Sequence, residues 1–191
     1  MESYLHKHIH DLLIRAKQPV FISDERIDGD SLGSSLALVE YLKGRGMQVP
    51  VYVSESIPKM YQRLPNIESC TNDLSIFDDK NIDLVVSFDC SDGDYIHRLV
   101  SNIPGRPTLI NIDHHATNSR FGDVNQVIVE SPATSEVIYQ FFKTNGILPS
   151  KDMATCLLTG ICFDTTSLSN GAANERAFIA TSDLLLSGAR A

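Results

Sequence analysis

Five aspartates and a His-His pair fall at the ends of apolar runs in this chain. Asp28 and Asp30 lie in Arg26-Ile27-Asp28-Gly29-Asp30-Ser31, and Asp89 closes Leu84-Val85-Val86-Ser87-Phe88-Asp89. Asp113-His114-His115 follows the strand-like Thr108-Leu109-Ile110-Asn111-Ile112, and Asp164 ends Gly160-Ile161-Cys162-Phe163-Asp164. Carboxylates and imidazoles gathered at strand ends are the donor set for a pair of divalent cations. A bare carboxylate beside the run before Asp89 is costly without a cation or several donors. Asp164 interrupts an apolar stretch where an ionised group is rarely left unpaired. Each also has an ordinary reading. Asp28, Asp30 and Ser31 suit a turn and helix N-cap, Asp89 can cap a helix after Ser91, and Asp164 can be a hydrogen-bonded structural residue. The argument for a site is their recurrence.

Adjacent residues such as His114 and His115 project in different directions and need not share a role. One can take a metal while the other faces a substrate, with Asp113 suited to orient an imidazole from behind. His6, His8 and His10 lie on a first helical segment with no nearby acidic motif to complete a site, and they read as surface residues.

The positioning elements follow from periodicity. Leu5, Ile9, Leu12, Leu13 and Ala16 mark an amphipathic helix ending before Pro19. Pro19 to Ser23, Val49 to Val53, Leu84 to Phe88 and Thr108 to Ile112 read as strands. A long helix is expected from Ser31 through Leu42, stopped by Gly44 and Gly46, with others around Tyr95 to Val100, Ser135 to Phe142, Asp152 to Cys162 and Asn174 to Ser187. Strands alternating with helices predict an α/β fold, a parallel β-sheet flanked by helices on both faces, because parallel strands need long crossovers. Ligands of such sheets gather beyond the carboxyl ends of the strands.

The 191 residues suffice for one well-buried core, and 42% apolar with 21% charged residues exclude a disordered or fibrous chain. A net charge of -8 argues against a broad surface tracking long duplex DNA. No run is long enough for a membrane span and no secretory pattern opens the chain, so a cytoplasmic location is expected. Cys70, Cys90, Cys156 and Cys162 form no Cys-x-x-Cys pair, so neither a disulfide nor a zinc site is expected.

Asp28-Gly29-Asp30-Ser31-Leu32-Gly33-Ser34-Ser35, Asp89, Asp113-His114-His115 and Gly160-Ile161-Cys162-Phe163-Asp164-Thr165 together resemble the four ordered motifs of the DHH phosphoesterase family. Ser131-Pro132-Ala133-Thr134-Ser135-Glu136 is similar to the segment that opens a helix before the fourth motif. The first motif looks closer to the nanoRNase and pAp phosphatase branch than to the family II pyrophosphatases. The resemblance implies that residues 1–191 form the metal-binding DHH domain, and nothing after Asp164 looks like the family's Gly-rich, His-containing C-terminal substrate-binding domain. It implies that Asp28 binds a first metal, that Asp30, His114 and Asp164 bind a second, and that Asp89 bridges both. His115 matches the position that contacts the scissile phosphate; with Asp113 it is the candidate catalytic pair, and with Arg120 the candidate substrate contact. The implied cofactor is a pair of Mn²⁺ ions, with Mg²⁺ the alternative, activating a hydroxide for in-line displacement. The implied substrate is a short single-stranded oligonucleotide or small nucleotide.

Three positions depart from the pattern. Asp24 stands where the family usually has a His ligand, Ile27 replaces a common Pro, and Thr166 replaces a frequent Gly. Asp24 either ligates as a carboxylate or leaves the first metal weak. Arg26, Lys59, Arg63 and Arg120 are either phosphate contacts or solvated charges. A degenerate DHH module that binds nucleotide or protein without catalysis is the alternative reading. A binuclear carbon-nitrogen hydrolase ranks last, because Asp113-His114-His115 lacks its spacing. Oligomeric state is not fixed by the sequence, a homodimer being compatible with it.

Overall fold

The apolar runs before Asp89 and Asp113 are strands buried on both sides, whereas the run that ends at Asp164 is the last turn of a helix. The computed structural model describes residues 2–101 and 103–190; Met1, Asn102 and Ala191 lie outside the described residues, so the expected span of 1–191 is described apart from these three. Helix α1 (Glu2–Arg15) leads into β1 (Pro19–Ile22), α2 (Gly29–Lys43), β2 (Val51–Tyr52), β3 (Cys70–Thr71), β4 (Leu84–Phe88) and α3 (Gly93–Val100). Then follow β5 (Thr108–Asp113), β6 (Val124–Val127), α4 (Thr134–Thr144), α5 (Lys151–Asp164) and α6 (Glu175–Leu186).

The six strands form one sheet in the order β3-β2-β1-β4-β5-β6, every pair parallel. From β1 the chain builds outward through β2 and β3, returns to the other side of β1 as β4, and builds outward again. The reversal lies between β1 and β4, where the connections that follow the two strands diverge and leave a crevice. Alternation within the strands divides the apolar residues between two layers. Phe21, Leu84, Val86, Phe88, Ile110 and Ile112 pack with the buried faces of α1, α2, α4, α5 and α6. Val20, Ile22, Val85 and Leu109 meet α3 and the 3₁₀ turn Leu74–Asp78 on the thinner second face.

Several boundaries differ from the sequence reading for local reasons. Helix α2 begins at Gly29, before Ser31, because Asp28 Oδ1 caps it, accepting from the N–H groups of Asp30 and Ser31 at 2.9 Å each. Strand β2 is shorter than Val49 to Val53; Pro50 lacks an N–H and contributes only its carbonyl, which accepts from Phe21 N at 3.0 Å. The cap of α3 is Asp92, which accepts from Asp94 N and Tyr95 N at 2.9 and 3.1 Å, and not Asp89. The edge strands β3 and β6 were not expected, being short and of mixed polarity. His6 is buried, contrary to its reading as a surface residue: it shares the inner stripe of α1 with Ile9 and Leu13 and meets the Phe141 ring edge-on at 6.2 Å.

Helices α2 and α5 approach closely because their interface carries glycine. A Cβ on Gly33 would lie 2.4 Å from the Cys156 carbonyl oxygen, and one on Gly160 would lie 2.0 Å from Ser135 Oγ and 2.5 Å from Asp30 Oδ1. Any side chain there would push α5 and its terminal Asp164 away from α2.

Candidate metal centre

The crevice between β1 and β4 and the neighbouring end of β5 collect the expected residues. Ligand atoms of Asp30, His114 and Asp164 lie within 4.8 Å of one another, as do those of Asp89, Asp113, His114 and His115. His114 belongs to both groups: its Nε2 is 3.0 Å from Asp164 Oδ2 and 3.5 Å from Asp89 Oδ1. Asp28 stands close by, since it feels the charge of Asp164 and its own charge acts on Asp89. Its cap bonds both fall on Oδ1, so the capping and the ligand readings of Asp28 are compatible.

Each side chain is held by identifiable partners. Asp30, fully buried, accepts from the α4 backbone, Thr134 N to Oδ2 at 2.6 Å and Ser135 N to Oδ1 at 2.8 Å. The positive end of α4 thereby stabilises the carboxylate. Asp89 sits in the left-handed region at φ 60, a conformation that Asp tolerates better than most residues. Its N–H donates to the Ile112 carbonyl at 2.9 Å, and its Oδ1 accepts from Thr134 Oγ1 at 2.8 Å. Asp113 is saturated with donors: Oδ1 accepts from His114 N at 2.7 Å, His115 N at 3.2 Å and His115 Nδ1 at 2.8 Å, and Oδ2 from Asn118 Nδ2 at 2.6 Å. Asp113 therefore orients His115, whose half-exposed ring keeps Nε2 clear of these bonds.

The His114 ring is fixed from the other side. A carbonyl can only accept, so its Nδ1–H donates to Ser131 O at 3.2 Å. Nε2 is buried with no well-directed hydrogen bond, and in the neutral ring it presents a lone pair to carboxylates. That is unfavourable unless a cation lies between, and it is the tautomer that metal-binding histidines adopt. Ser131 is held in turn, its Oγ donating to Glu136 Oε2 at 2.6 Å.

The electrostatics are those of crowded anions. Burial, then Asp164, push the Asp30 carboxyl up to about 6. Burial and the charges of Asp30, Asp28, Asp164 and Asp113 hold Asp89 well above the usual carboxylate range. For His114, burial opposes the charged ring, but Asp164, Asp30 and the Ser131 carbonyl outweigh it and raise the pKa to about 9. Two like charges about 5 Å apart repel by about 3 kcal/mol at an effective dielectric of 20. Without a cation this charge favours a proton on Nε2, 3.0 Å from Asp164 Oδ2; a hard divalent cation would take that proton's place, and the oxygen-rich donor set fits one.

Other expected residues stand apart. Among the described residues Asp24 joins neither ligand group; its Oδ2 accepts from Arg26 N at 3.3 Å, and after burial its carboxylate is the next cause holding the Cys90 thiol up. Arg120 is exposed, and its guanidinium donates to the Val127 carbonyl at 3.4 Å. The sequence reading missed Asn118, which besides Asp113 holds the Cys90 carbonyl at 3.0 Å and accepts from the buried Asn111 at 2.9 Å. The available signal was Asn111 itself, an amide inside an apolar strand. It also missed the support of Glu136 by Arg176, whose Nη2 is 3.0 Å from Oε2.

Comparison with known proteins adds an independent finding. The family model described as DHH family, N-terminal domain, matches residues 19–161. A protein of Thermus thermophilus named as the bifunctional oligoribonuclease and PAP phosphatase NrnA is 29% identical over 158 residues, 82% of this chain and 46% of its own length. A probable bifunctional oligoribonuclease and PAP phosphatase NrnA of Streptococcus mutans is 35% identical over 77 residues, 40% of this chain and 25% of that protein. In fold the chain is similar to an exopolyphosphatase-related protein from Bacteroides fragilis, with a TM-score of 0.87 and 24% identity over 98% of this chain and 58% of that one. The chain spans about half the length of the Thermus relative. No helix among the described residues is long and apolar enough to cross a membrane.

Proposed function

From the premise that this chain belongs to the DHH family, we propose that it is the metal-binding part of a phosphoesterase acting on short oligonucleotides or small nucleotides. The observation that carries the reading is His114, with Nδ1 committed to Ser131 and Nε2 left buried among the carboxylates of Asp89 and Asp164. Asp30, His114 and Asp164 would hold one ion, Asp28 a second, and Asp89 would serve both, with Mn²⁺ preferred over Mg²⁺ because an imidazole stands among hard oxygens. Bound divalent cations supply Lewis-acid charge and a strong nucleophile at neutral pH.

The chain's own groups do the remainder. The Thr134 hydroxyl and the α4 backbone hold Asp89 and Asp30 in place, so the cup is preorganised. His115 presents Nε2 to solvent while Asp113 holds Nδ1–H, and it would donate to a phosphoryl oxygen as charge develops there. The raised pKa of His115, owed first to the Asp113 hydrogen bond, favours that donor form. Among the described residues Asp24 and Asp28 both lie outside the two ligand groups, so the ion assigned to Asp28 would rest chiefly on Asp89, with Asp28 completing its shell from close by. Metal analysis of the purified chain combined with hydrolysis of a dinucleotide tests the reading. Mn²⁺-dependent cleavage lost in Asp89→Asn supports it, and nucleotide binding with no metal uptake would instead favour a non-catalytic module.

A further inference from the structure

Phe163 immediately precedes Asp164 in the last turn of α5, and its side chain is 45% exposed. Among the described residues it is the exposed large apolar side chain that directly adjoins a candidate ligand; Phe178, Ile179, Leu185 and Leu186 lie on α6. Its exposure does not come from looseness. A Cβ on Gly29 would lie 2.8 Å from Phe163 Cβ and 3.1 Å from its Cγ, so the base of the ring rests on the backbone between Asp28 and Asp30. Tyr61, buried, meets the ring edge-on with centroids 6.5 Å apart at 75°. The turn that carries Tyr61 also holds Met60, 75% exposed, and the exposed cations Lys59 and Arg63 flank it.

A phenyl ring fixed at its base and edge, with solvent over the remainder, is suited to receive a flat partner. Nucleobases are such partners, and aromatic stacking is tolerant of base identity because every base has a π-face. We propose that Phe163 is the stacking platform for a nucleobase whose phosphate occupies the neighbouring cup, so that the site takes nucleoside phosphates in preference to base-free phosphates. The inference rests on the phosphoesterase reading, because the cup must hold the phosphate for the base to reach the ring.

The test is calorimetric titration of the full chain, in the presence of Mn²⁺, with AMP and with ribose 5-phosphate. Stacking predicts that AMP binds at least about 5-fold more tightly, that Phe163→Leu abolishes the difference, and that Phe163→Trp keeps it. Phe163→Leu preserves apolar bulk, so a loss there reports the aromatic face and not a folding defect. Equal binding of the two ligands by the unmodified chain, or a preference that survives in Phe163→Leu, overturns the platform alone. Binding of neither ligand overturns the phosphoesterase reading and the platform with it.

Discussion

Arg176 on α6 reaches Glu136 on α4 with Nε and Nη2 each 3.0 Å from the same oxygen, Oε2. That oxygen also accepts from Ser131 Oγ at 2.6 Å, and the Ser131 carbonyl accepts from His114 Nδ1. The last helix is thus tied to the candidate metal ligand through two intervening residues, Glu136 and Ser131. Glu136 is fully buried, so removing its cation leaves an uncompensated charge. Arg176→Met is expected to cost about 3–5 kcal/mol in denaturant unfolding. Mn²⁺ affinity measured by EPR should fall by about 10-fold or more, with Arg176→Lys recovering part of both.

Metal should stabilise the chain. Crowded carboxylates are relieved by a cation, which takes the place of the proton on His114 Nε2, and a ligand at 100 times its Kd adds about 2.7 kcal/mol. A thermal scan in excess Mn²⁺ is expected to show a higher Tm, with the shift abolished in Asp89→Asn. An unchanged Tm would count against the metal centre.

The pH dependence of the chelator-treated chain has a definite sign. His114 has a folded pKa raised from 6.5 to about 9, so its contribution is fully present below pH 6.5 and lost as pH rises through about 9. Asp30, raised from 3.8 to about 6, acts in the same direction over the lower window, its contribution fading from pH 3.8 through about 6. His6 acts oppositely: burial lowers its pKa to about 4, so its stabilisation is present above pH 6.5 and lost as pH falls through about 4. Urea midpoints across pH 4 to 9 should therefore decline on the alkaline side in the unmodified chain, and His6→Phe should flatten the component lost towards acid.

Gly160→Ala is expected to damage the centre without touching a ligand. Its methyl would meet Ser135 Oγ and Asp30 Oδ1 at 2.0 and 2.5 Å, so α5 must shift or Asp30 must leave the α4 N-terminus. A loss of about 1–3 kcal/mol is expected from overpacking, read by denaturation, together with weaker Mn²⁺ binding.

Thr166, Ser167 and Leu168 all have positive φ, 48, 54 and 64, beginning two residues after Asp164. A β-branched residue is strained there, at about 1–2 kcal/mol. Thr166→Gly should raise the Tm, and a lowered Tm would show that Thr166 Oγ1, which accepts from Asn170 Nδ2 at 3.2 Å, outweighs the strain.

The local chemistry was legible along the chain. Short apolar runs, two of them followed by aspartate, determined β1, β4 and β5, because burial on both faces of a parallel strand leaves a continuous apolar signature. The sequence also singled out Asp24, Asp28, Asp30, Asp89, His114 and Asp164 as a set, since carboxylates beside apolar runs have few inexpensive alternatives. Tertiary structure alone decided which of them meet. The α4 N-terminus clasps Asp30 from a position 104 residues away along the chain, Asp113 is consumed in orienting His115, and Asp24 falls outside both ligand groups. Those outcomes depend on how strands and helices pack in space, and no spacing along the chain encodes a distance across a crevice.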